Sequence, residues 1–371
     1  MTRVLVVDDS ALARRLLGDL FEAEPGFEVA YARNGVEALD SLRTFEPDVI
    51  TLDVHMPQMD GLACLDRIMV ERPTPVVMVS SLTEEGAAET LEALQLGAVD
   101  VIAKPAGPLS LEIDTLGPPL VAKIRAAAGA RIRRTHRLTE RVRTLANAAG
   151  AIPAVRPRPR LSPADPAEPA GRRWALGDGT PPGLVLVGCS TGGPPALDAL
   201  LEPLPADFPW PILVAQHMPR AFTGPLARRL DGICALEVVE VTRPLLLEPG
   251  RVYVGRGEAD LVVSARPDGV VALPAPAAEA YRWHPSVDRL VETAMVAFPA
   301  ERLVGVLMTG MGDDGAAAMT QLQAAGGRTL AEAEETAVVW GMPGELVRAG
   351  GASLVAPLDG LADRLLAEMA R

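Results

Sequence analysis

Five short apolar runs punctuate the first 124 residues: RVLVV at 3–7, then 28–32, DVITL at 48–52, PVVMV at 75–79 and VDVIA at 99–103. Between them lie stretches such as SALARRLLGDLFEA and GVEALDSLRTF, whose apolar positions recur every three or four residues. Runs of this length are strand-sized and the intervening period is helical, so the chain predicts five strand–helix units. Repeated units of that kind build a doubly wound parallel sheet, with its site at the carboxyl ends of the strands. The same alternation resumes with LVLVGC at 184–189, PILVAQ at 211–216 and a strand-to-helix turn in ERLVGVLMTGMGDDGAAAMTQLQAAGG. Between the two regions an Arg/Ala helical pattern at 122–149 gives way to AVRPRPRLSPADPAEPAG, where proline every second or third residue forbids regular structure. The expectation is an α/β protein of two doubly wound parallel-sheet domains, residues 1–124 and 181–371, joined by a linker at 125–180.

Charge sharpens this division. Residues 1–124 carry 9 Lys/Arg against 21 Asp/Glu, residues 125–173 carry 12 against 3, and residues 174–371 carry 14 against 24. Two acidic domains thus flank a basic connector, and with a net charge of −13 neither presents a basic recognition helix. Nucleic acid is not an expected partner, and the connector is expected to be a solvated tether. A hydrophobic fraction of 49% in 371 residues suffices for two packed cores. No basic-then-apolar leader precedes Asp8 and Asp9, so neither a signal peptide nor membrane insertion is expected, and a cytoplasmic location is. Cys64, Cys189 and Cys234 have no paired spacing and suit a reducing compartment, with Cys189 read as a small packing residue.

The predicted strand ends of the first region are chemically pointed. Asp8 and Asp9 follow the first, Asp53 the third, Ser80 or Ser81 the fourth, and Lys104 with Pro105 the fifth. Converging carboxylates repel one another unless a hard cation such as Mg²⁺ neutralises them, and a facing lysine stabilises an incoming phosphoryl group. In the second region GCSTG puts Ser190 in a G-x-S-x-G frame between strand and helix, the geometry of a nucleophile elbow. His217 ends the next strand pattern, and Asp313 and Asp314 lie in the glycine turn of a later one. Nucleophile, base and orienting carboxylate in the order Ser, His, Asp are allowed because geometry defines a triad. His284, in WHPSVDRL, is the competitor to His217; His136 lies in the connector, and Ser286 is read as a helix cap. Gly310, Gly312 and Gly315 formally spell a dinucleotide fingerprint with Glu335 twenty residues on. Two carboxylates at a helix N-terminus that must hold a pyrophosphate count against it.

The motifs VVDDS, TLDVHMPQMDGL, VSS and AKP make residues 1–124 resemble the receiver domain of two-component response regulators, a flavodoxin-like fold. That resemblance implies Asp53 as phosphoacceptor, Mg²⁺ on Asp8, Asp9, Asp53 and the carbonyl of His55, phosphoryl contacts from Ser80 and Lys104, and a cis Lys104–Pro105 bond. Val101 stands where such domains usually carry an aromatic residue, so signalling by a swinging ring is not expected. With GCSTGGPPAL, QHMP, HPSVD, LMTGMGDDGAAAM and TAVVWGMPGE added, the chain resembles the chemotaxis protein-glutamate methylesterase family. The resemblance implies Ser190, His217 and Asp314 as catalytic triad and main-chain N–H groups at Met311 and the elbow, at Thr191, as oxyanion hole. It also implies γ-methyl esters on cytoplasmic chemoreceptor helices as substrate (with glutamine deamidation as a second activity), a histidine kinase of the CheA type as phosphodonor, and no cofactor for the ester chemistry. In such proteins the unphosphorylated receiver covers the catalytic cleft. The segment 251–263, read as a loop, departs from the family by carrying GRG and Asp260. A phosphorylation-driven adaptor without catalysis is the competing reading.

Overall fold

The computed structural model describes residues 1–80, 84–104, 109–132 and 181–369. Ser81, Pro105 and His136, with most of the connector, lie outside the described residues.

The first sheet contains β1 (Thr2–Val7), β2 (Phe27–Ala32), β3 (Val49–Asp53), β4 (Val76–Ser80) and β5 (Asp100–Ala103), in the order β2-β1-β3-β4-β5. All its pairings are parallel. β3 and β4 are buried along their whole length, which is why both read as unbroken apolar runs rather than alternations. The crossovers are α1 (Ala11–Glu22), α2 (Gly35–Thr44), α3 (Gly61–Glu71) and α4 (Glu84–Leu96), and α5 (Leu109–Ala128) follows the last strand. Ser10, Asn34 and Asp60 start the first three helices by accepting the backbone N–H three residues on. The Arg/Ala pattern that begins at 122 starts inside α5, which runs through Ala128.

The second sheet has seven strands: β6 (Leu184–Cys189), β7 (Ile212–Gln216), β8 (Glu237–Val241), β10 (Arg251–Gly255), β13 (Leu303–Leu307), β14 (Arg328–Glu332) and β15 (Leu354–Ala356), ordered β15-β14-β13-β6-β7-β10-β8. Its pairings are parallel throughout. Around it lie α6 (Gly193–Leu201), α7 (Arg220–Ile233), α8 (Val287–Ala297), α9 (Ala316–Ala324), α10 (Met342–Arg348) and α11 (Leu358–Met369).

One element corrects the sequence reading. Residues 251–263 are not a loop: β10 joins the parallel sheet, and β11 (Ala259–Arg266) pairs antiparallel with β12 (Gly269–Pro276), which also pairs with β9 (Leu245–Leu246). The turn Arg266–Gly269, with Gly269 at φ +125°, closes this hairpin, and β11 packs against α8.

The two units touch. The α4 helix packs against α6 and α7, and Leu91 and Leu94 share one apolar cluster with Leu197 and Leu230. Val338 packs against the core of the first unit, and its carbonyl accepts from Arg131 N at 3.0 Å.

Candidate active site

Register brings the second unit's chemistry together. Cys189 pairs with Gln216 across β6 and β7, so the residues that follow, Ser190 and His217, stand side by side at the strand ends. Met308, after β13, donates to Gly188, which places the glycine turn 310–315 on the other side of the serine. Ser190 is buried; its N–H donates to Thr309 O (3.0 Å), and its carbonyl accepts from Gly193 N (2.8 Å) and Gln216 Nε2 (3.0 Å). Gly192 takes φ +78°, the left-handed conformation needed for the sharp turn. A Cβ on Gly310 would fall 2.9 Å from Ser190 Cβ, so only glycine lets the 310 turn reach the nucleophile. The N–H groups of Thr191 and Met311, on either side of this approach, have no acceptor among the described residues.

His217 Nε2 lies 2.7 Å from Asp314 Oδ2, and its Nδ1 is buried without a partner among the described residues. Trp283 stacks on the imidazole, ring centroids 5.3 Å apart and planes 14° from parallel. Asp314 also accepts from Ser286 Oγ (3.0 Å), Val287 N (2.8 Å) and Asp288 N (3.0 Å). It therefore sits on the N-terminus of α8, where the helix dipole favours a negative charge. Burial opposes ionisation of Asp314, but the hydrogen bonds from His217, Val287 and Asp288 outweigh it and hold the carboxyl below its ordinary range. At its neighbour Asp288 burial, reinforced by the Asp314 charge, outweighs the bond from Ala318 N and pushes it up to about 6.

His284 is committed elsewhere. Its Nδ1 lies 2.9 Å from Asp260 Oδ1, and the buried Asp260 also binds Arg289 Nη1 (2.5 Å) and Ser286 N (2.9 Å). Ser286 caps α8 as expected, by accepting from Arg289 N. Its second bond, to Asp314, has no sequence signal, and neither has the role of Gln216. Gln216 is fully buried and clamps both the Ser190 and the His217 carbonyls. Cys189 is buried with its thiol on Gln216 Oε1, and burial pushes that thiol far above its ordinary range.

In the first unit Asp8, Asp9 and Asp53 each place a carboxylate oxygen within 4.8 Å of the others. Lys104 Nζ lies 2.8 Å from Asp8 and 2.7 Å from Asp53. Three carboxylates against one ammonium form an oxygen donor set of net negative charge, which fits a hard divalent cation. Burial, helped by the Asp8 charge, raises the Asp53 carboxyl despite Lys104. Burial also works against the lysine's charge, but its bonds to Asp53 and Asp8 prevail and raise it. The Ser80 hydroxyl donates to Gly86 O at 3.3 Å, and the exposed imidazole of His55 lies 3.3 Å from Glu89. Val101, the position lacking the aromatic ring, is buried, and its carbonyl accepts from Lys123.

The two sites are joined through the elbow. Thr191 Oγ1 donates to Asp100 Oδ2 at 2.5 Å, and Gly192 N donates to Val99 O at 3.0 Å. Asp100 also holds Lys123 Nζ at 3.0 Å. The turn that carries the nucleophile is thus hydrogen-bonded to the start of β5.

Comparison with known proteins agrees with this architecture. Residues 185–365 match the CheB methylesterase family and residues 4–113 the response regulator receiver domain. Protein-glutamate methylesterase/protein-glutamine glutaminase 2 of Rhodopseudomonas palustris is 59% identical over 98% of this chain and 96% of its own. Protein-glutamate methylesterase/protein-glutamine glutaminase 3 of Rhodospirillum rubrum is 53% identical over 100% of this chain and 97% of its own. The crystal structure of the Thermotoga maritima CheB methylesterase catalytic domain is similar over 50% of this chain and 97% of its own, at 35% identity and a TM-score of 0.48. With two relatives above half identity across nearly its whole length, the chain belongs to the CheB methylesterase family and carries a response regulator receiver domain.

Proposed function

We propose that the chain hydrolyses glutamate γ-methyl esters on the cytoplasmic helices of chemoreceptors, switched by phosphorylation of its receiver, and so serves sensory adaptation in the cytoplasm. The domains are 1–124 (receiver), 125–180 (connector) and 181–371 (catalytic). The observation that carries the reading is the His217–Asp314 pair at 2.7 Å beside Ser190, with the other imidazole nitrogen buried and without a partner among the described residues. Asp314 fixes the tautomer with the proton on Nε2, which leaves Nδ1 as the basic nitrogen for Ser190. Ser190 Oγ attacks the ester carbonyl as its proton passes to Nδ1, a general-base contribution of roughly 10²–10⁴ in rate. The N–H groups of Thr191 and Met311 receive the oxyanion, each such donor being worth about 3 kcal/mol of barrier. His217 returns the proton to the departing methoxide, methanol leaves, and water hydrolyses the acyl-serine to a free carboxylate. A glutamine side chain meets the same groups with ammonia as the leaving group, in keeping with the glutaminase in the relatives' names.

In the receiver, Asp53 accepts the phosphoryl group from a histidine kinase of the CheA type, with Lys104 and Ser80 on its oxygens. Asp8, Asp9, Asp53 and the His55 carbonyl would hold Mg²⁺, which would neutralise the phosphoryl charge. Thr191 and Gly192, tied to Asp100 and Val99, support a closed resting state in which the receiver restrains the elbow. Methanol release from methyl-labelled chemoreceptor membranes tests the reading. It should rise with acetyl phosphate and Mg²⁺ and vanish in Ser190→Ala; no release from any receptor preparation would favour an adaptor.

A further inference from the structure

An open cleft of about 540 Å³ runs along α7 directly after the catalytic histidine segment, lined by Arg220, Arg228, Arg256, Glu240 and Glu258. Arg220 and Arg228 are exposed and Arg256 is half-buried, and none of the three has a carboxylate within ion-pair distance among the described residues. The cleft is firmly built. A Cβ on Gly257 would lie 2.3 Å from Met218 O and 2.6 Å from Arg220 N, so the Arg256–Gly257 turn sits hard against the chain leaving His217. Gly257 N donates to the fully buried Thr223, whose hydroxyl in turn binds Glu240 at 2.6 Å. The receiver's α4 also packs against α7, and Arg229 on that helix pairs with Asp198 of α6.

Guanidinium groups outnumber carboxylates in this cleft, against the net charge of −13 of the whole chain. Three of them around one cleft make a local cationic field that selects an anionic ligand and speeds its approach. Arg220 and Arg228 are eight residues apart on α7, about 12 Å or just over two turns. Carboxylates two turns apart on a helix lying beside α7 match that spacing. Glu240 and Glu258 break the field, which disfavours a continuous phosphate chain and suits isolated carboxylates. We infer that this cleft binds glutamate side chains of the substrate protein's helix next to the ester under attack, so that Arg220, Arg228 and Arg256 determine substrate preference. The inference rests on the function proposed above and deepens it.

The full chain, with Mg²⁺ and acetyl phosphate, is titrated into a fluorescent helical peptide bearing glutamate at two-turn intervals and into its all-glutamine counterpart. Wild-type protein should bind the glutamate peptide about five-fold more tightly, a difference that shrinks with added salt. Arg228→Gln/Arg256→Gln should abolish the preference and raise KM for methylated receptor membranes about five-fold, with kcat and hydrolysis of a small neutral ester unchanged. Equal binding of the two peptides, an unchanged KM, or displacement of the peptide by single-stranded nucleic acid at lower concentration than by free glutamate peptide would overturn the inference. If wild-type protein releases no methanol from membranes, the proposed substrate is wrong, and the peptide titration alone still decides whether the cleft prefers carboxylates.

Discussion

Two aspartates on the start of α8 show how far local surroundings set a carboxyl's behaviour. Asp314 gathers three donors besides His217 and is held below its ordinary range, whereas burial and a like charge push Asp288 up to about 6. Their effects on stability have opposite signs. Asp314, depressed in the folded state, contributes stability that is present above the unfolded-state value and is lost as pH falls through its lower folded value. Asp288, raised in the folded state, holds a proton that the unfolded chain has already released, so stability falls as pH rises from about 4 to about 6. Asp288→Asn keeps an acceptor for Ala318 N, bonded to Asp288 at 2.9 Å, and removes the ionisation. Urea unfolding of this variant should show less loss between pH 4 and 7 than wild type, by about 1–2 kcal/mol after discounting for residual solvent contact. Parallel curves for the two proteins would show that Asp288 does not ionise in that window. Ser190, His217 and the Asp313–Asp314 turn were legible in the sequence as candidates because they follow apolar runs and strand ends are where sites form; the choice of Asp314 over Asp313 came from the family resemblance. Gln216, Trp283 and Asp288 were not, since their roles depend on which strand or helix start lies opposite, and that is fixed by sheet order rather than by spacing.

The α8 helix acts as a device as well as a layer of core. Its cap Ser286 accepts from Arg289 N, as N-cap serines do, while donating to Asp314; Asp260 holds the same turn through Ser286 N, His284 and Arg289. One hydroxyl therefore serves both the helix and the carboxylate that orients His217. Ser286→Ala should cost about 1 kcal/mol of stability from the cap and lower kcat several-fold with little change in KM, because the Asp314 charge loses a donor. Ser286→Thr, which keeps the hydroxyl, should restore most of the rate; equal loss in both variants would point to packing instead. At the scale of elements the fully buried parallel strands β3, β6 and β13 were easy to read, since full burial writes them as unbroken apolar runs. The hairpin β11–β12 was not, and the GRG turn before it was read as loop. Leu261, Val263, Val270 and Ala272 face the core, while the other side mixes Val262 and Leu273 with Ser264 and Arg266, a weaker pattern than a run. The Arg/Ala pattern at 122–149 begins inside α5, which runs through Ala128.

The whole molecule couples two sites on different sheets, and a ligand or modification moves such an equilibrium only through contacts that differ between the two states. The contact best placed to differ is the one between Asp100 and Thr191, at 2.5 Å, because it joins the first residue of β5 to the residue after the nucleophile. Lys104, which holds Asp53, directly follows that same strand. The neighbouring bonds from Gly192 to Val99 and from Arg131 to Val338 and Glu334 hold the same face together, but of these only the Asp100–Thr191 bond engages a side chain of the elbow. A hydrogen bond to a charged group contributes about 1.5–3 kcal/mol net, enough to shift a two-state population roughly ten-fold or more. Asp100→Ala should therefore raise methanol release in the absence of phosphodonor by about that factor while leaving the acetyl phosphate-stimulated rate near wild type. Thr191→Val, which keeps the main-chain N–H and the side-chain bulk, should do the same, and the double variant should be no more active than either single one, since each removes the same bond. Additive gains would mean that the two residues restrain the elbow through separate contacts, and an unchanged basal rate in Asp100→Ala would mean that the closed state is held by the apolar packing of α4 on α6 and α7 instead.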